Sequence, residues 1–332
     1  MKNRQWLLAR RPDGALKDSD FTFVEAEVPT PREGEVLVRN LMLSCDPTQR
    51  TWIAGDTYLP AVKIGEVVRS FGAGRIEASN NPGFKVGDMV LGLVGWQDYV
   101  AMKPDGELNT LPRETPLGLA MGVLGMIGVT AYFGLLDVGR PVAGETVVVS
   151  GAAGATGSIV GQIAKIKGCR AIGIAGGPKK CRWLTHDLGF DAAIDYKSEN
   201  VKARLRELCP KGIDIFFDNV GGPILDAALA RLAMRGRIVI CGGVSAYDSA
   251  EPPPGLKNYL NLVSKRGRME GFLVFDYLPR AAEALGALAG WVKAGKLKHR
   301  VDVQRGLENA PATLRRLFEG KNEGKQLLRV AE

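Results

Sequence analysis

Histidine is scarce in this chain of 332 residues: only His186 and His299 occur, and both lie far from the first hundred positions. A catalytic zinc site takes three ligands from Cys, His and acidic side chains and leaves a fourth position open, so this supply of imidazole argues against one. His186 and His299 read as solvated side chains. The five cysteines, Cys45, Cys169, Cys181, Cys209 and Cys241, are scattered and contain no C-x-x-C pair, which excludes a disulfide framework or a structural zinc knot. Cys169 and Cys241 sit in apolar runs and read as small core residues. No apolar run reaches the length of a membrane span. Residues 1–10 lack the apolar segment and small-residue cleavage site of a secretory leader, so a cytoplasmic protein is expected. The charge of +8 is spread along the chain with no aromatic-interleaved basic motif, which argues against nucleic acid and leaves an anionic small molecule as the simpler partner.

A further absence is local. Glu145 to Ser150 is a β-branched run that predicts a strand buried on both faces, and Gly151-Ala-Ala-Gly154-Ala155-Thr156-Gly157 follows at once. A helix is predicted from Ser158 to Lys167, with Ile159, Val160, Ile163 and Ile166 at helical spacing and Gly168 as its stop. Strand, glycine-rich turn and helix together predict a dinucleotide site, its pyrophosphate at the helix N-terminus. The next strand, Arg170 to Gly176, ends where an NAD site usually places an acid for the ribose hydroxyls. That acid is missing, and Lys179, Lys180 and Arg182 follow. The pattern favours NADPH over NADH; the other reading of these cations is the solvated first turn of a surface helix.

Length and an apolar fraction of 45% suit two globular domains. From Glu145 onward, strands alternate with helices through Ala192–Tyr196, Ile213–Asp218, Arg237–Cys241 and Met269–Phe275, predicting an α/β doubly wound parallel sheet. The first hundred residues instead show Glu35–Leu43, Val62–Val68 and Lys85–Gly92 between proline and glycine turns, an all-β, barrel-like pattern. A helix is expected over 279–296, and the tail, with short strands around Val301 and Gln326–Val330, is expected to rejoin the first domain. The boundaries expected are 1–122 with 298–332, and 123–297. Glu251-Pro-Pro-Pro-Gly255 reads as a loop.

Thr130–Gly134, Ala152–Ser158, Gly161–Ala164, Phe217–Gly222, Arg268–Phe272 and Gly320–Lys325 together resemble the zinc-independent medium-chain dehydrogenases/reductases. Within them the likeness is to the NADPH-dependent alkenal/one double-bond reductases, the family of prostaglandin reductase and bacterial curcumin reductase. It covers essentially the whole chain. It implies a Rossmann NADPH-binding domain, a GroES-like β-barrel substrate domain and a homodimer paired through the strand at 268–275. It also implies that Gly154, Ala155, Thr156 and Gly157 hold the pyrophosphate, that Lys180 and Tyr196 reach the 2′-phosphate and ribose, and that Asn219 lines the cofactor channel. Cys241, Gly242, Val244, Ser245 and Tyr247 would border the nicotinamide, with Phe272, Leu273, Val274 and Asn322.

The other reading of Asn219 is a turn residue after its strand, and of Tyr196 a strand-end aromatic; function is the favoured reading of both. Reduction of an activated C=C needs hydride at the β-carbon, stabilisation of the enolate oxygen and a proton at the α-carbon, none of which requires a metal. A hydroxyl suffices for the oxygen. The resemblance points to Tyr259, in the pattern of the bacterial branch, with Ser264 as the alternative by the spacing of the animal and plant branches. Tyr58 is a further candidate from the first domain. Arg50, Trp52 and Trp96 either shape the site or fill the core. The expected substrate is a small hydrophobic enone or enal. Quinone reduction, and a non-catalytic NADPH-binding role of the crystallin type, stay open.

Overall fold

Short β-branched runs punctuated by glycine and proline favour extended backbone over helix, and the first hundred residues form strands accordingly. The computed structural model describes residues 2–106, 108–112, 114–251 and 253–331. Along the chain come β1 (Lys2–Leu8), β2 (Phe21–Glu27), β3 (Val36–Ser44), α1 (Thr48–Ala54), β4 (Phe71–Ser79), β5 (Met89–Leu93), β6 (Tyr99–Met102), β7 (Asn109–Leu111) and α2 (Leu117–Ala120). Then follow α3 (Met126–Phe133), β8 (Thr146–Ser150), α4 (Ala155–Ile166), β9 (Arg170–Ala175), α5 (Pro178–Arg182), β10 (Ala192–Asp195), α6 (Val201–Leu208), β11 (Ile213–Asp218) and α7 (Gly222–Leu229). The rest is β12 (Leu232–Ile240), α8 (Val244–Tyr247), α9 (Asn261–Lys265), β13 (Arg268–Gly271), α10 (Ala281–Lys293), β14 (Val301–Arg305), α11 (Ala310–Phe318) and β15 (Lys325–Arg329).

Two compact units result, one of Met1–Met121, Tyr247–Glu251 and Val301–Glu332, the other of Gly122–Ala246 and Pro252–Arg300. In the first, β14-β15-β3-β4-β5-β7 form one sheet, with β6 also on β3, while β1 and β2 pair separately. The tail strand β15 runs antiparallel to β3, Leu328 opposite Leu43, and carries β14 on its other side. Val36, Val38, Leu43, Ile76, Trp96 and Leu328 make its core. Trp52 and Trp96 are fully buried, and Arg50 is buried with its guanidinium donating to Gly14 O at 2.9 Å, so all three belong to the interior.

In the second unit the order is β10-β9-β8-β11-β12-β13, every pairing parallel. Val147, Val148 and Val149 of β8 are wholly buried, as expected for a strand covered on both faces; each contributes about 1.5–3 kcal/mol of burial. The chain leaves β8 toward β9 and returns on the other side as β11, so the order reverses between β8 and β11. In such sheets ligands bind outside the carboxyl ends of the strands at this reversal.

Several expected elements differ. Residues 62–68 contribute only an isolated bridge, Leu7 to Val67, because the chain turns at Gly65 (φ +86°). The last sheet strand stops at Gly271 rather than Phe275: Phe272 turns inward, and a 3-10 turn runs from Val274 to Arg280. The helix expected over 279–296 is confined to Ala281–Lys293. The helix expected from Ser158 starts at Ala155, so Ala155-Thr156-Gly157 form its first turn rather than a loop.

Candidate active site

Gly154 caps α4 in extended backbone, its N–H donating to Gly151 O at 2.9 Å. A Cβ on Gly157 would lie 2.5 Å from Gly151 O and 2.8 Å from Ala152 Cα, a clash with backbone that flexing side chains cannot relieve. Glycine at 157 therefore lets the helix start against the end of β8. The first-turn amides of Ala155, Thr156 and Gly157 lack acceptors within the helix, and the helix dipole adds to their attraction for an anion.

At the end of β9, a Cβ on Gly176 would stand 2.9 Å from the Tyr196 hydroxyl and 3.0 Å from its Cε1 and Cζ. The half-exposed Tyr196 ring thus covers the point from which an acid would project. Asp195, just before it, accepts from Gly177 N at 2.7 Å, Lys197 N at 3.0 Å and Ser198 Oγ at 3.0 Å. Burial alone would raise the Asp195 carboxyl, but these donors outweigh it and hold the group below its ordinary value. Asp195 thereby fixes the loop from which α5 presents Lys179, exposed, and Lys180, half-buried.

On the other side of β8, Asp218 ends β11 with no exposure to solvent. Burial raises its carboxyl, opposed by donors from Ser150 Oγ and the amides of Gly221 and Val220. Ser150 Oγ accepts from Asn219 N at 2.8 Å, and Asn219 Nδ2 donates to Ser150 O at 2.7 Å. The turn beyond needs glycine twice, at Gly221 (φ +76°) and Gly222 (φ +56°). Cys241 N and Gly242 N donate to Asp218 O at 2.9 and 3.1 Å, Val244 N to Asn219 O at 3.1 Å, and Ser245 Oγ to Val220 O at 2.6 Å. Burial pushes the Cys241 thiol up to about 12, which leaves it protonated and unsuited to act as a nucleophile.

The carboxyl edge of the sheet thus gathers Gly154–Gly157, Asn219 and Cys241–Ser245, with Lys180 and Tyr196 at the ends of β9 and β10. Phe272 sends its ring toward Phe217 (centroids 6.3 Å apart), into space that a Cβ on Gly134 would fill at 2.3 Å. Its side chain is a packing element, with Leu273 exposed and Val274 half-buried beyond it. Tyr259 and Ser264 lie at the start and near the end of one surface turn; Tyr259 is exposed, and Ser264 Oγ donates only to its own helix, to Asn261 O at 3.3 Å. Tyr58, Tyr247 and Asn322 belong to the first unit. The Tyr58 hydroxyl shares a hydrogen bond of 2.6 Å with Thr48 Oγ1, and Asn322 Nδ2 donates to Gly324 O at 3.0 Å. Just after Tyr247, Asp248 accepts from Leu16 N at 3.0 Å and faces Arg50 at 3.5 Å.

Sequence reasoning passed over Ser150, Asp195, Asp218 and the buried Lys325. An acid or hydroxyl closing an otherwise apolar strand was the available signal for the first three. Lys325 Nζ donates to Cys45 O at 3.1 Å and to Asp46, whose other oxygen takes the Ser44 hydroxyl. Burial pushes the Cys45 thiol up to about 12 despite the lysine. Among the described residues no three His, Cys, Asp or Glu side chains are grouped to hold a metal.

Residues 4–110 match the family profile described as the N-terminal domain of oxidoreductase, and residues 155–289 the one described as zinc-binding dehydrogenase. The NADPH-dependent curcumin reductase of Escherichia coli is 44% identical over 99% of this chain and 97% of its own length. This chain belongs to the medium-chain dehydrogenase/reductase family. Another member, the NADP(+)-dependent 2-alkenal reductase of Nicotiana tabacum, is 40% identical over 100% of this chain and 98% of its own. Among solved members of the family, CurA from Vibrio vulnificus in complex with NADPH superposes with a TM-score of 0.94 at 42% identity, covering 99% of each chain. The zinc-binding description falls on the nucleotide-binding unit of this dehydrogenase/reductase, whereas Cys45 and Asp46 lie in the other unit.

Proposed function

We propose that this chain is an NADPH-dependent reductase of the activated C=C bond in α,β-unsaturated aldehydes and ketones. The observation that carries the reading is full-length identity of 44% and 40% to reductases named for curcumin and 2-alkenals. The glycine cradle before α4 and the acid-free end of β9 fit NADPH. When bound, NADPH supplies the hydride for the β-carbon of the substrate.

The chain does the rest. Gly154, Ala155, Thr156 and Gly157 would hold the pyrophosphate, and Lys180 and Tyr196 would reach the 2′-phosphate and ribose. Asn219, Cys241–Ser245 and Phe272–Val274 of the nucleotide-binding unit would border the nicotinamide end. Tyr259 donates a hydrogen bond to the carbonyl oxygen and so stabilises the enolate, with Ser264 and Tyr58 as the other hydroxyls available for that role. The exposed side chains Tyr259 and Leu260 suit a small apolar substrate.

The reading extends to a cytoplasmic homodimer. Two features favour it: β13 is an edge strand with Met269, Leu273, Val263 and Leu260 exposed near it, and the cysteines are unpaired. Sedimentation at micromolar concentration tests the dimer.

The activity is tested by following loss of NADPH absorbance with a medium-chain 2-alkenal, an aryl enone, a quinone and a saturated aldehyde, each repeated with NADH. Turnover of the first two with preference for NADPH is expected; turnover of the quinone alone, or none, overturns the reading. Lys180→Ala should weaken NADPH about 10- to 100-fold, the worth of a charge-assisted pair of about 1.5–3 kcal/mol, and leave NADH within about twofold.

A further inference from the structure

Beyond the residues expected to touch the cofactor, the point where strand order reverses carries a buried polar relay with a fixed direction. Asp218 Oδ1 accepts from the Ser150 hydroxyl at 2.6 Å, from Val220 N at 3.1 Å and from Gly221 N at 3.1 Å, and Oδ2 takes Gly221 N at 3.0 Å. A carboxylate only accepts, so the Ser150 proton must point at Asp218. That leaves a Ser150 lone pair for Asn219 N, while Ser150 O takes the Asn219 side-chain amide. The backbone N–H and one side-chain N–H of Asn219 are thus committed to β8, the first of them through a lone pair that the direction of the Ser150 hydroxyl leaves open.

We propose that Asp218 and Ser150 are positioning residues that, by holding the amides of residues 219–221, place Asn219 and this stretch of backbone for the nicotinamide half of NADPH. The inference rests on the reading above that this edge of the sheet binds NADPH. In a doubly wound sheet the adenine ribose lies at the end of the second strand, here β9. The β11 and β12 ends, on the other side of the reversal, are left for the nicotinamide half. The relay joins β8 to β11, and Asp218 O also receives Cys241 N and Gly242 N from the end of β12. Among the described residues no side-chain hydrogen bond of the relay goes to β9 or β10, so its loss should be felt by one half of the cofactor only.

Ser150→Ala removes the relay proton, and Asp218→Asn offers an amide that can donate to Ser150 and reverse the relay. Both variants and the parent protein are titrated with NADPH and with 2′,5′-ADP, the adenine half alone, and their thermal unfolding is recorded. The expected result is NADPH binding weakened about tenfold in each folded variant with 2′,5′-ADP affinity within about twofold of the parent. Unchanged NADPH affinity, or equal loss for both ligands, overturns the proposal. If Asp218→Asn fails to fold, Ser150→Ala alone decides. A parent protein that binds neither ligand refutes the cofactor reading itself, an outcome separate from any difference between variants.

Discussion

Gly176→Asp restores the acid that an NAD-selecting fold carries at this strand end, and Tyr196 determines what that achieves. The new Cβ would stand 2.9–3.0 Å from the Tyr196 hydroxyl, Cε1 and Cζ. Carbon atoms in ordinary contact keep about 3.5–4.0 Å, so the ring must swing aside by at least half an ångström. The half-exposed ring can do so, but it then leaves the place proposed for it at the ribose. The carboxylate meanwhile would face the 2′-phosphate in the proposed site. One pair of like charges at about 4 Å costs about 4 kcal/mol at an effective dielectric constant of 20, less where solvent screens it. NADPH should therefore weaken at least about a hundredfold, which corresponds to about 2.7 kcal/mol. NADH should gain little from the single change, because the displaced ring stays beside the new acid. Adding Tyr196→Ala clears that space, and the double variant should bind NADH about tenfold more tightly than Gly176→Asp alone. Quenching or enhancement of cofactor fluorescence gives the four affinities of the cycle for each nucleotide. Additive effects of the two substitutions on NADH, or a switch to NADH by Gly176→Asp alone, refutes the coupling of these residues.

Tyr259→Phe should lower kcat for an enone by about 100- to 1000-fold with NADPH affinity unchanged, the range for losing one hydrogen bond to a developing charge; an unaffected rate transfers the role to Ser264 or Tyr58, tested the same way. Gly161→Ala places a Cβ 1.8 Å from Phe190 Cζ between α4 and the end of the Trp183–Asp187 turn. It should cost about 1–3 kcal/mol or more by overpacking, seen as a melting temperature several degrees lower. Asp195 holds its proton less tightly folded than unfolded, so it stabilises the fold above the ordinary carboxyl range and loses that contribution as pH falls through its depressed folded value. Asp195→Asn should therefore be less stable than the parent at pH 6 in urea, and the gap should narrow toward pH 3; a gap that is constant with pH would contradict the assignment.

The parallel sheet was legible because each of its central strands is a short, almost wholly apolar run followed by a helix. The turn before α4 was legible for a similar reason: small residues crowd into one place. Its boundary was misplaced since threonine and glycine are weak helix formers and the small side chains of 155–157 add nothing to the apolar period, while the close approach of Gly157 to Gly151 at the helix start is a contact invisible to periodicity. The end of β13 was overextended because Phe272 to Phe275 is as apolar as a strand; the ring space beside Gly134 and Phe217, supplied from 138 and 55 residues away, bends the chain instead. Tyr58 and Lys180 were accessible as residue types, yet their partners are set by folding: Thr48 meets Tyr58 only because α1 turns back over 10 residues. Lys325 could not be assigned at all, since the acid that neutralises it, Asp46, lies 279 residues earlier.

The sheet of the first unit is finished by β15, which sits between β3 and β14 and is made only after residues 122–300. During synthesis, β3 is exposed early and must wait through the whole of residues 122–300 for the neighbour that covers it. The nucleotide-binding unit, by contrast, is nearly complete in one continuous stretch and can close before the ribosome has finished. A ribosome stalled near residue 300 would therefore display a formed cofactor half beside an open strand, the stage at which this chain depends most on being shielded from its neighbours.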